Sequence, residues 1–206
     1  METDRQNHWN NVYATKAETE VSWFQESPTA SLDLIHALAA SRQTSIIDIG
    51  GGASRLVDAL LDEGFESVSV LDLSENALAV AKARLGARAQ KVRWIAADVT
   101  TWAPGEAYDL WHDRAAFHFL TEAADRAAYR ERLVKAVRPG GHVIIATFAP
   151  DGPERCSGLP IVRHDVDSIA AVLGAGFEPV EMRRHDHATP GGSVQRFQFS
   201  CFQRKA

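Results

Sequence analysis

The segment 44–55 constrains the fold of this chain more than any other. Residues 46–49 are Ile-Ile-Asp-Ile, a run too short and too rich in β-branched side chains for a helix and typical of a buried strand. Three glycines follow at 50–52, and glycine permits a positive φ and close approach of a ligand to the backbone. Four apolar residues then recur at helical spacing: Leu56, Val57, Leu60 and Leu61. The segment predicts a strand, a tight glycine turn and a helix whose first backbone N–H groups face a ligand.

Beyond this segment, strand-like and helix-like patterns alternate as far as residue 148. Strands are predicted over 44–49, 67–72, 92–96, 108–112 and 142–148. Helices are predicted over about 27–40, 54–63, 74–85 and 121–138, with Ser27 as the N-cap of the first helix and Pro28 at its first helical position. Strands and helices in this order form a mostly parallel, doubly wound sheet, which binds ligands at the carboxyl ends of its strands.

The last quarter of the chain changes character. We expect an irregular loop over 150–164, a helix over 165–174, and two strands over 178–185 and 194–204 that pair as an antiparallel hairpin. The predicted fold class is α/β: a doubly wound, mostly parallel, seven-stranded sheet with a C-terminal antiparallel hairpin. Residues 1–206 are expected to form one domain with three parts: an N-terminal lid or helix over 1–40, a cofactor-binding core over 41–149, and a C-terminal loop, helix and hairpin over 150–206.

Charge and composition disfavour several classes of protein. The net charge is −5, which argues against a nucleic-acid binder that neutralises phosphates. The chain has only two cysteines, Cys156 and Cys201, and its polar N-terminus lacks the apolar core of a signal peptide. A cytoplasmic location is therefore expected. No run approaches the ~20 apolar residues of a membrane span, so no membrane partner is expected. The oligomeric state stays open between monomer and dimer.

Large aromatic residues are concentrated before the first strand. His8, Trp9, Tyr13, Trp23 and Phe24 lie among polar residues without a long period. Such a segment either covers a binding pocket as a lid or covers the edge of the sheet, and the sequence favours neither interpretation.

Four acids stand at or just after the predicted strand ends: Asp48, Asp72, Asp98 and Asp113. Carboxylates on one rim of a sheet favour a ligand that carries positive charge or many hydroxyl groups. Asp72 follows Gly52 by 20 residues, which is the place of the acid that binds ribose hydroxyls in dinucleotide folds. The pattern therefore predicts a ligand with a nucleoside moiety.

The glycine turn departs from the dinucleotide fingerprint Gly-x-Gly-x-x-Gly, because Arg55 stands where the third glycine is expected. Asp48 would also place negative charge beside a pyrophosphate, which costs free energy in a low-dielectric crevice. The same carboxylate favours an ammonium or a sulfonium group. S-adenosylmethionine carries both, together with a ribose and no phosphate, and is therefore favoured over a nicotinamide cofactor.

Over nearly its whole length the chain resembles the class I S-adenosylmethionine-dependent methyltransferases. The resemblance lies in Asp48-Ile49-Gly50-Gly51-Gly52, Val70-Leu71-Asp72-Leu73-Ser74, Ala97-Asp98-Val99 and the helix-to-strand turn of residues 133–141. It implies a Rossmann-like methyltransferase fold, with Asp72 on the ribose and Asp98 at the adenine amino group. The implied cofactor-binding set is Asp48, Gly50, Gly52, Asp72, Leu73, Asp98, Val99 and, from the aromatic segment, Trp23. A second resemblance, of residues 112–117 to the thiopurine methyltransferase-like branch, implies a loop that borders the methyl acceptor.

Methyl transfer is an in-line displacement in which the cofactor carries the reactivity and the protein orients and desolvates the acceptor. The candidate catalytic residues are Asp113, His112 and Arg114, and Asp113 directly follows the fourth predicted strand. Arg114 either holds an anionic acceptor or pairs with a nearby acid. No metal site is expected, because no third and fourth ligand stand at suitable spacing from His185 and His187.

The leading hypothesis is a methyltransferase that acts on a small molecule through S, N or O. Two alternatives stay open: a protein methyltransferase, for example on lysine, and a protein that binds the cofactor or a nicotinamide nucleotide without catalysis. The fourth strand is not followed by an Asn/Asp-Pro-Pro-Tyr motif, so methylation of amides or base amino groups is disfavoured. The identity of the acceptor is not encoded in any motif.

Overall fold

A computed structural model describes residues 4–39 and 41–206. Its main sheet contains β1 (Ile46–Ile49), β2 (Val68–Asp72), β3 (Val92–Ala96), β4 (Tyr108–Arg114), β5 (Val137–Phe148), β8 (Phe177–Ala188) and β9 (Val194–Arg204). The strand order is β3-β2-β1-β4-β5-β9-β8. Strands β1 to β5 run parallel, and β9 and β8 add an antiparallel hairpin beside β5. The predicted fold class is confirmed.

Helices cover both faces of this sheet. They are α1 (Asp4–Thr15), α2 (Thr29–Leu38), α3 (Leu56–Asp62), α4 (Glu75–Leu85), α5 (Ala123–Ala136) and α6 (Val166–Leu173). Leu34, Leu60 and Leu78 bring α2, α3 and α4 into the core on one face, and Leu133 and Leu173 bring α5 and α6 into the core on the other. The alternation of side chains along each strand supplies both cores.

Several element boundaries differ from those predicted, and β5 begins at Val137 and not at residue 142. β4 continues to Arg114, so Asp113 lies inside the strand and pairs in register with Ile49 and Ile145. Pro28 occupies the N-cap of α2 and not its first helical position. α2 ends at Leu38, and residue 40, near its predicted end, lies outside the described residues.

A short hairpin and a helix form where the sequence predicted neither. The predicted loop after β5 contains a short hairpin of β6 (Arg155–Cys156) and β7 (Leu159–Pro160). Helix α1 precedes the first predicted helix. Of its residues only Val12 is buried, so its sequence carried little sign of a helix that packs on the core. Because α1 lacks an apolar stripe, tertiary contacts must hold it, and Arg5 supplies one by bonding Asp125 Oδ2 at 2.7 Å.

The carboxyl ends of the parallel strands meet at one edge of the sheet. Ile49, the last residue of β1, pairs with Leu71 of β2 and Asp113 of β4, and Asp72 pairs with Ala96 of β3. This register places the glycine turn and the strand-end acids within one crevice. Among the described residues, no helix is long and apolar enough to cross a bilayer.

Candidate active site

The glycine turn after β1 passes directly between two carboxylates. Gly50 and Gly52 have φ angles of 66° and 42°, in the region that favours glycine. A Cβ atom on Gly51 would lie 2.5 Å from Asp48 Oδ2, and one on Gly52 would lie 2.8 Å from Asp72 Oδ2. Side chains therefore cannot fill the turn, and a ligand at this edge meets backbone and carboxylates directly.

A cavity of about 800 Å³, including the solvent at its mouth, opens at this edge, and one end of it is lined by Asp72, Leu73, Asp98 and Val99. Asp72 Oδ1 accepts a hydrogen bond from the Ser74 backbone N–H at 2.7 Å. Burial raises the pKa of Asp72 to about 7, and the nearby carboxylate of Asp48 adds to the shift. Asp98 Oδ1 accepts from the backbone N–H and the hydroxyl of Thr100 at 2.8 and 2.6 Å. Carboxylates so placed suit a ligand rich in hydroxyl and amino donors.

Asp48 is held by a buried chain of hydrogen bonds. His112 Nδ1 lies 2.7 Å from Asp48 Oδ1, and His112 Nε2 lies 2.9 Å from Ser31 Oγ. A neutral imidazole satisfies both contacts, donating through Nδ1–H and accepting the Ser31 hydroxyl. All three residues line a second, adjoining cavity together with the glycine turn. Because both ring nitrogens are hydrogen-bonded within the protein, neither is free to take a proton from an acceptor. His112 therefore orients Asp48 here, which differs from the catalytic role predicted for it.

Asp113 is not exposed to the cavity, contrary to the sequence-based prediction. Its side chain is fully buried, and Oδ1 accepts the backbone N–H groups of Ala116 and Phe117 at 2.9 and 3.1 Å. Oδ2 accepts the Tyr129 hydroxyl at 2.8 Å, and Tyr129 in turn accepts from Trp111 Nε1 at 2.8 Å. Burial raises the pKa of Asp113 to about 6. These contacts use the carboxylate to hold the turn after β4, because β4 runs two residues further than predicted.

Arg114 projects from the end of β4 and lines both cavities. Its Nη1 donates to the Trp23 backbone oxygen at 3.0 Å, and its guanidinium carbon lies 4.7 Å from the centre of the Phe197 ring. Nε and Nη2 are shielded from solvent and have no hydrogen-bond partner. Burial lowers the pKa of Arg114 to about 10, so the side chain stays charged at neutral pH. The following residue, Ala115, has a φ of 70°, a conformation that L-residues rarely adopt and that directs the chain sharply away from the strand.

Aromatic rings form the wall opposite Asp72. Trp9 meets Trp23 and Phe119 edge to face, with ring centres 5.6 and 5.0 Å apart. Trp23 Nε1 donates to the Tyr13 hydroxyl at 3.1 Å. Trp9, Tyr13, Trp23 and Phe119 all line the first cavity, so the aromatic segment covers a pocket. This result favours the lid over the sheet-edge interpretation.

Residues 4–26, here called the cover segment, are fastened to the core by polar contacts. Glu18 binds Arg55 Nη2 at 2.6 Å and also bonds Arg84. Ser74 Oγ donates to Asn10 Oδ1 at 2.8 Å. Arg55, which replaces the third glycine of the dinucleotide fingerprint, therefore serves as an anchor for the cover segment.

Several lining residues were not among the predicted site residues. Arg5, Trp9, Tyr13, Phe119 and Cys156 line the first cavity. The concentration of rings before β1 was a usable signal for two of them, whereas Phe119 and Cys156 reach the cavity only through tertiary packing. Burial raises the pKa of Cys156 to about 12, so its thiol is neutral. Over 4–39 and 41–206, no three His, Cys, Asp or Glu side chains are grouped so that they could hold a metal ion.

The predicted cofactor residues meet the chemistry of S-adenosylmethionine at three points. Asp72 and Asp98 supply acceptors at one end of the first cavity, and Asp48 supplies a carboxylate in the second. Gly50 lines both, in a turn that has no room for side chains. The arrangement offers acceptors for hydroxyl, amino and ammonium groups, which matches a nucleoside with a positively charged tail.

Comparison with known proteins gives the same family. A family described as "Methyltransferase domain" matches residues 46–141. Thiocyanate methyltransferase 1 of Arabidopsis thaliana is 31% identical over 143 residues, which are 68% of this chain and 60% of that protein. A trans-aconitate 2-methyltransferase of Rhizobium leguminosarum bv. trifolii is 28% identical over 184 residues, which are 89% of this chain and 67% of the relative. The chain thus spans about 60–67% of the length of these two relatives.

Solved structures share the fold over nearly the whole chain. A SAM-dependent methyltransferase from Anabaena variabilis superposes with a TM-score of 0.78 at 14% identity, covering 98% of this chain and 96% of that one. The 1,6-didemethyltoxoflavin-N1-methyltransferase of Burkholderia thailandensis gives a TM-score of 0.69 at 22% identity, covering 98% and 84%. With the motifs at the ends of β1, β2 and β3 and the sheet order described above, these findings confirm the predicted resemblance to the class I S-adenosylmethionine-dependent methyltransferases: residues 46–141 match a methyltransferase domain, and the chain has the fold of these enzymes.

Proposed function

We propose that this protein transfers the methyl group of S-adenosylmethionine to a small-molecule acceptor. The observation that carries the proposal is a single cavity lined by groups of different chemistry. The carboxylates of Asp72 and Asp98 stand at the ends of β2 and β3, Arg114 stands at the end of β4 on the other side of β1, and aromatic rings complete the lining. A donor nucleoside and an acceptor can therefore lie in one enclosure, which in-line transfer requires.

Each part of the site has a task in this reaction. S-adenosylmethionine, when bound, supplies a methyl carbon activated by the adjacent sulfonium. Asp72 would accept hydrogen bonds from the ribose hydroxyls, Asp98 would accept one from the adenine amino group, and Asp48, oriented by His112, would hold the ammonium of the methionine moiety. The rings of Trp9 and Trp23 exclude water from the space where the acceptor meets the methyl group.

Small-molecule acceptors suit the enclosure better than a protein side chain. The cover segment closes over the cavity through contacts to two different helices, at Asp125 and at Ser74. His8 of the cover segment also reaches the β6–β7 turn, where its Nε2 lies 3.5 Å from Ser157 Oγ. The relatives named for thiocyanate and trans-aconitate methylation support the same choice, since both names denote small molecules.

The test uses S-adenosylmethionine with a tritiated methyl group and the full-length protein. A cell extract passed through a desalting column provides separate small-molecule and protein fractions as acceptor pools. We expect label in the small-molecule fraction, and stabilisation of the protein by S-adenosylhomocysteine but not by NAD in a thermal shift assay. Label in the protein fraction alone would establish the protein methyltransferase instead, and no cofactor-dependent shift together with no transfer would refute the proposal.

A further inference from the structure

Arg114 is a cation with two buried nitrogens whose unfilled hydrogen bonds are not explained by cofactor binding. A guanidinium has five N–H donors, and burying it without a carboxylate costs several kcal/mol even after relaxation. Here Nη1 donates to a backbone oxygen, while the shielded Nε and Nη2 have no partner. In the described parts of the chain, neither of these two nitrogens meets a carboxylate. A partner from outside the chain would complete its hydrogen bonds.

Neighbouring groups offset this charge only in part. Asp48 is the carboxylate that influences Arg114, but it makes no hydrogen bond to the guanidinium, and its Oδ1 lies 2.7 Å from His112 Nδ1. Cys156 also faces Arg114, but its thiol is neutral because burial raises its pKa to about 12. The positive field of Arg114 instead contributes to lowered pKa values of His185 and His187, after burial itself. The wall of the cavity beside Arg114 is therefore electropositive.

The cavity offers no base beside Arg114 to an acceptor that arrives protonated. Among the described residues that line the cavity, the titratable groups are Arg5, Tyr13, Asp72, Asp98, Arg114 and Cys156. Asp72 and Asp98 belong to the proposed cofactor site at the ends of β2 and β3, which lie on the other side of β1 from β4 and Arg114. Arg5 and Arg114 are cations, burial raises the pKa of Tyr13 further above its ordinary value, and Cys156 is a neutral thiol. His112 and Asp113, the predicted candidates, have their polar atoms engaged in the protein. An amine or an unactivated thiol would have nothing here to take its proton at neutral pH.

From these two observations we propose that the acceptor is an organic carboxylate whose anionic group is held by the Nε and Nη2 edge of Arg114. The planar fork of the guanidinium matches the two oxygens of a carboxylate. The rings of Trp9, Trp23 and Phe119 define the rest of the acceptor as a flat apolar or unsaturated body. This inference rests on the proposed methyltransferase function and narrows its substrate class.

A carboxylate acceptor also balances the reaction without a base. One carboxylate oxygen donates an electron pair to the methyl carbon, forming a C–O bond as the C–S bond breaks. The electron pair of the C–S bond stays on sulfur, so the sulfonium becomes a neutral thioether and the anion becomes a neutral methyl ester. No proton is released, and the product has lost the charge that bound it to Arg114, which favours its departure.

The carboxylate that binds Arg114 could belong to the acceptor or to the methionine part of the cofactor, and the Arg114→Met variant distinguishes the two. Calorimetry with S-adenosylhomocysteine shows whether Arg114 binds the carboxylate of the cofactor. We expect the affinity for S-adenosylhomocysteine to change less than threefold in Arg114→Met, as in the exposed-site control Arg88→Met, whose arginine pairs with Asp62 on the surface. A loss of 100-fold or more would assign Arg114 to the cofactor and overturn the proposal.

Binding of the acceptor's carboxylate is tested by assaying methyl transfer at saturating cofactor. The panel of acceptors contains aromatic and unsaturated carboxylic acids, the amide of each acid, and thiols and amines with the same ring. We expect methyl esters from at least one carboxylate and nothing from its amide. For that acid, Arg114→Met should lower kcat/KM at least 100-fold, chiefly through KM, and Arg114→Lys should restore part of the loss. With the cofactor kept saturating at each pH, so that Asp72 stays ionised, the rate should stay level between pH 6 and 9, because neither the acid nor Arg114 titrates there.

Each contrary result is distinct. If the wild-type protein binds S-adenosylhomocysteine but methylates only amines or thiols, or if no carboxylate in the panel is turned over, the carboxylate proposal is wrong and the methyltransferase function stands. A rate that rises tenfold per pH unit would also overturn it, since it would indicate an acceptor that must lose a proton. Failure of the wild-type protein to bind S-adenosylhomocysteine at all would instead refute the proposed function.

Discussion

Asp72 should make the affinity for S-adenosylhomocysteine depend on pH. In the free protein, burial and the neighbouring Asp48 raise the pKa of Asp72 to about 7, so half of the molecules carry a protonated carboxyl group at neutral pH. Ribose hydroxyls donate to the ionised form, and hydrogen bonds to the ionised form bring the pKa back toward the ordinary value of about 3.9. Because the ligand selects the ionised form, affinity is complete above pH 7 and falls as the pH drops below it.

The size of the effect follows from the shift. Two pH units below the pKa, about 1% of the free protein has an ionised Asp72, so the affinity at pH 5 should be about 100-fold weaker than at pH 8, or about 2.7 kcal/mol. At pH 7 binding should release about half a proton per ligand. Isothermal titration calorimetry in two buffers with different ionisation enthalpies measures both quantities.

The Asp72→Asn variant isolates the source of the effect. It cannot ionise, so its affinity should be nearly constant between pH 5 and 8 and about 1–3 kcal/mol weaker than that of the wild type at pH 8. Asp98→Asn serves as a matched control at the other acid of the same cavity and should retain the pH dependence. Wild-type affinity constant within a factor of two over this range, or a pH dependence that persists in Asp72→Asn, would refute the assignment of Asp72 to the ribose.

Three further substitutions test the site. Gly51→Ala should lower the free energy of unfolding by about 1–3 kcal/mol, because its Cβ would lie 2.5 Å from Asp48 Oδ2, and denaturant titration should show little change for Gly176→Ala, where nothing lies within 4 Å. Tyr129→Phe removes the donor to Asp113 and should cost about 1–3 kcal/mol of stability while calorimetry shows unchanged cofactor affinity; a selective loss of turnover would return Asp113 to the catalytic residues. Glu18→Gln removes the negative charge that pairs with Arg55 and Arg84, so it should speed tryptic cleavage within residues 4–26 severalfold. An unchanged cleavage rate would contradict the role of Glu18 as an anchor of the cover segment.

The sequence predicted those elements whose ends are set by nearby residues, such as helix caps and glycine turns. Ser74 is the N-cap of α4, where its Oγ accepts the Ala77 backbone N–H at 3.1 Å, and Gly86 ends that helix with a φ of 57°. The glycine turn and the Pro190-Gly191-Gly192 hairpin were recognisable for the same reason, since their residues permit backbone angles that others disfavour. The cofactor set also followed from local motifs, and Asp72, Leu73, Asp98 and Val99 do line one end of the cavity.

Long-range packing decided what the sequence did not predict. α1 has no apolar stripe, and its helix is held by contacts such as Arg5 with Asp125, which is 120 positions away. Asp113 resembled a rim residue because charged side chains are rare inside strands, yet a phenol and two backbone N–H groups satisfy it in the core. The pairing of His112 with Asp48 depends on the parallel register of β1 and β4, which no pattern within either strand specifies.

Arg84 gives the cover segment a mechanical link to the glycine turn. The same guanidinium bonds Glu18 of the cover segment, Asp58 of α3 at 2.6 Å, and the backbone oxygens of Ala53 and Ser54 at 3.0 and 2.9 Å. Displacing the cover segment would therefore disturb the turn that borders the cofactor site, so we expect release of the demethylated cofactor to be coupled to opening of the cover segment. Acceptors whose methyl transfer is faster than this opening should then share one multiple-turnover rate.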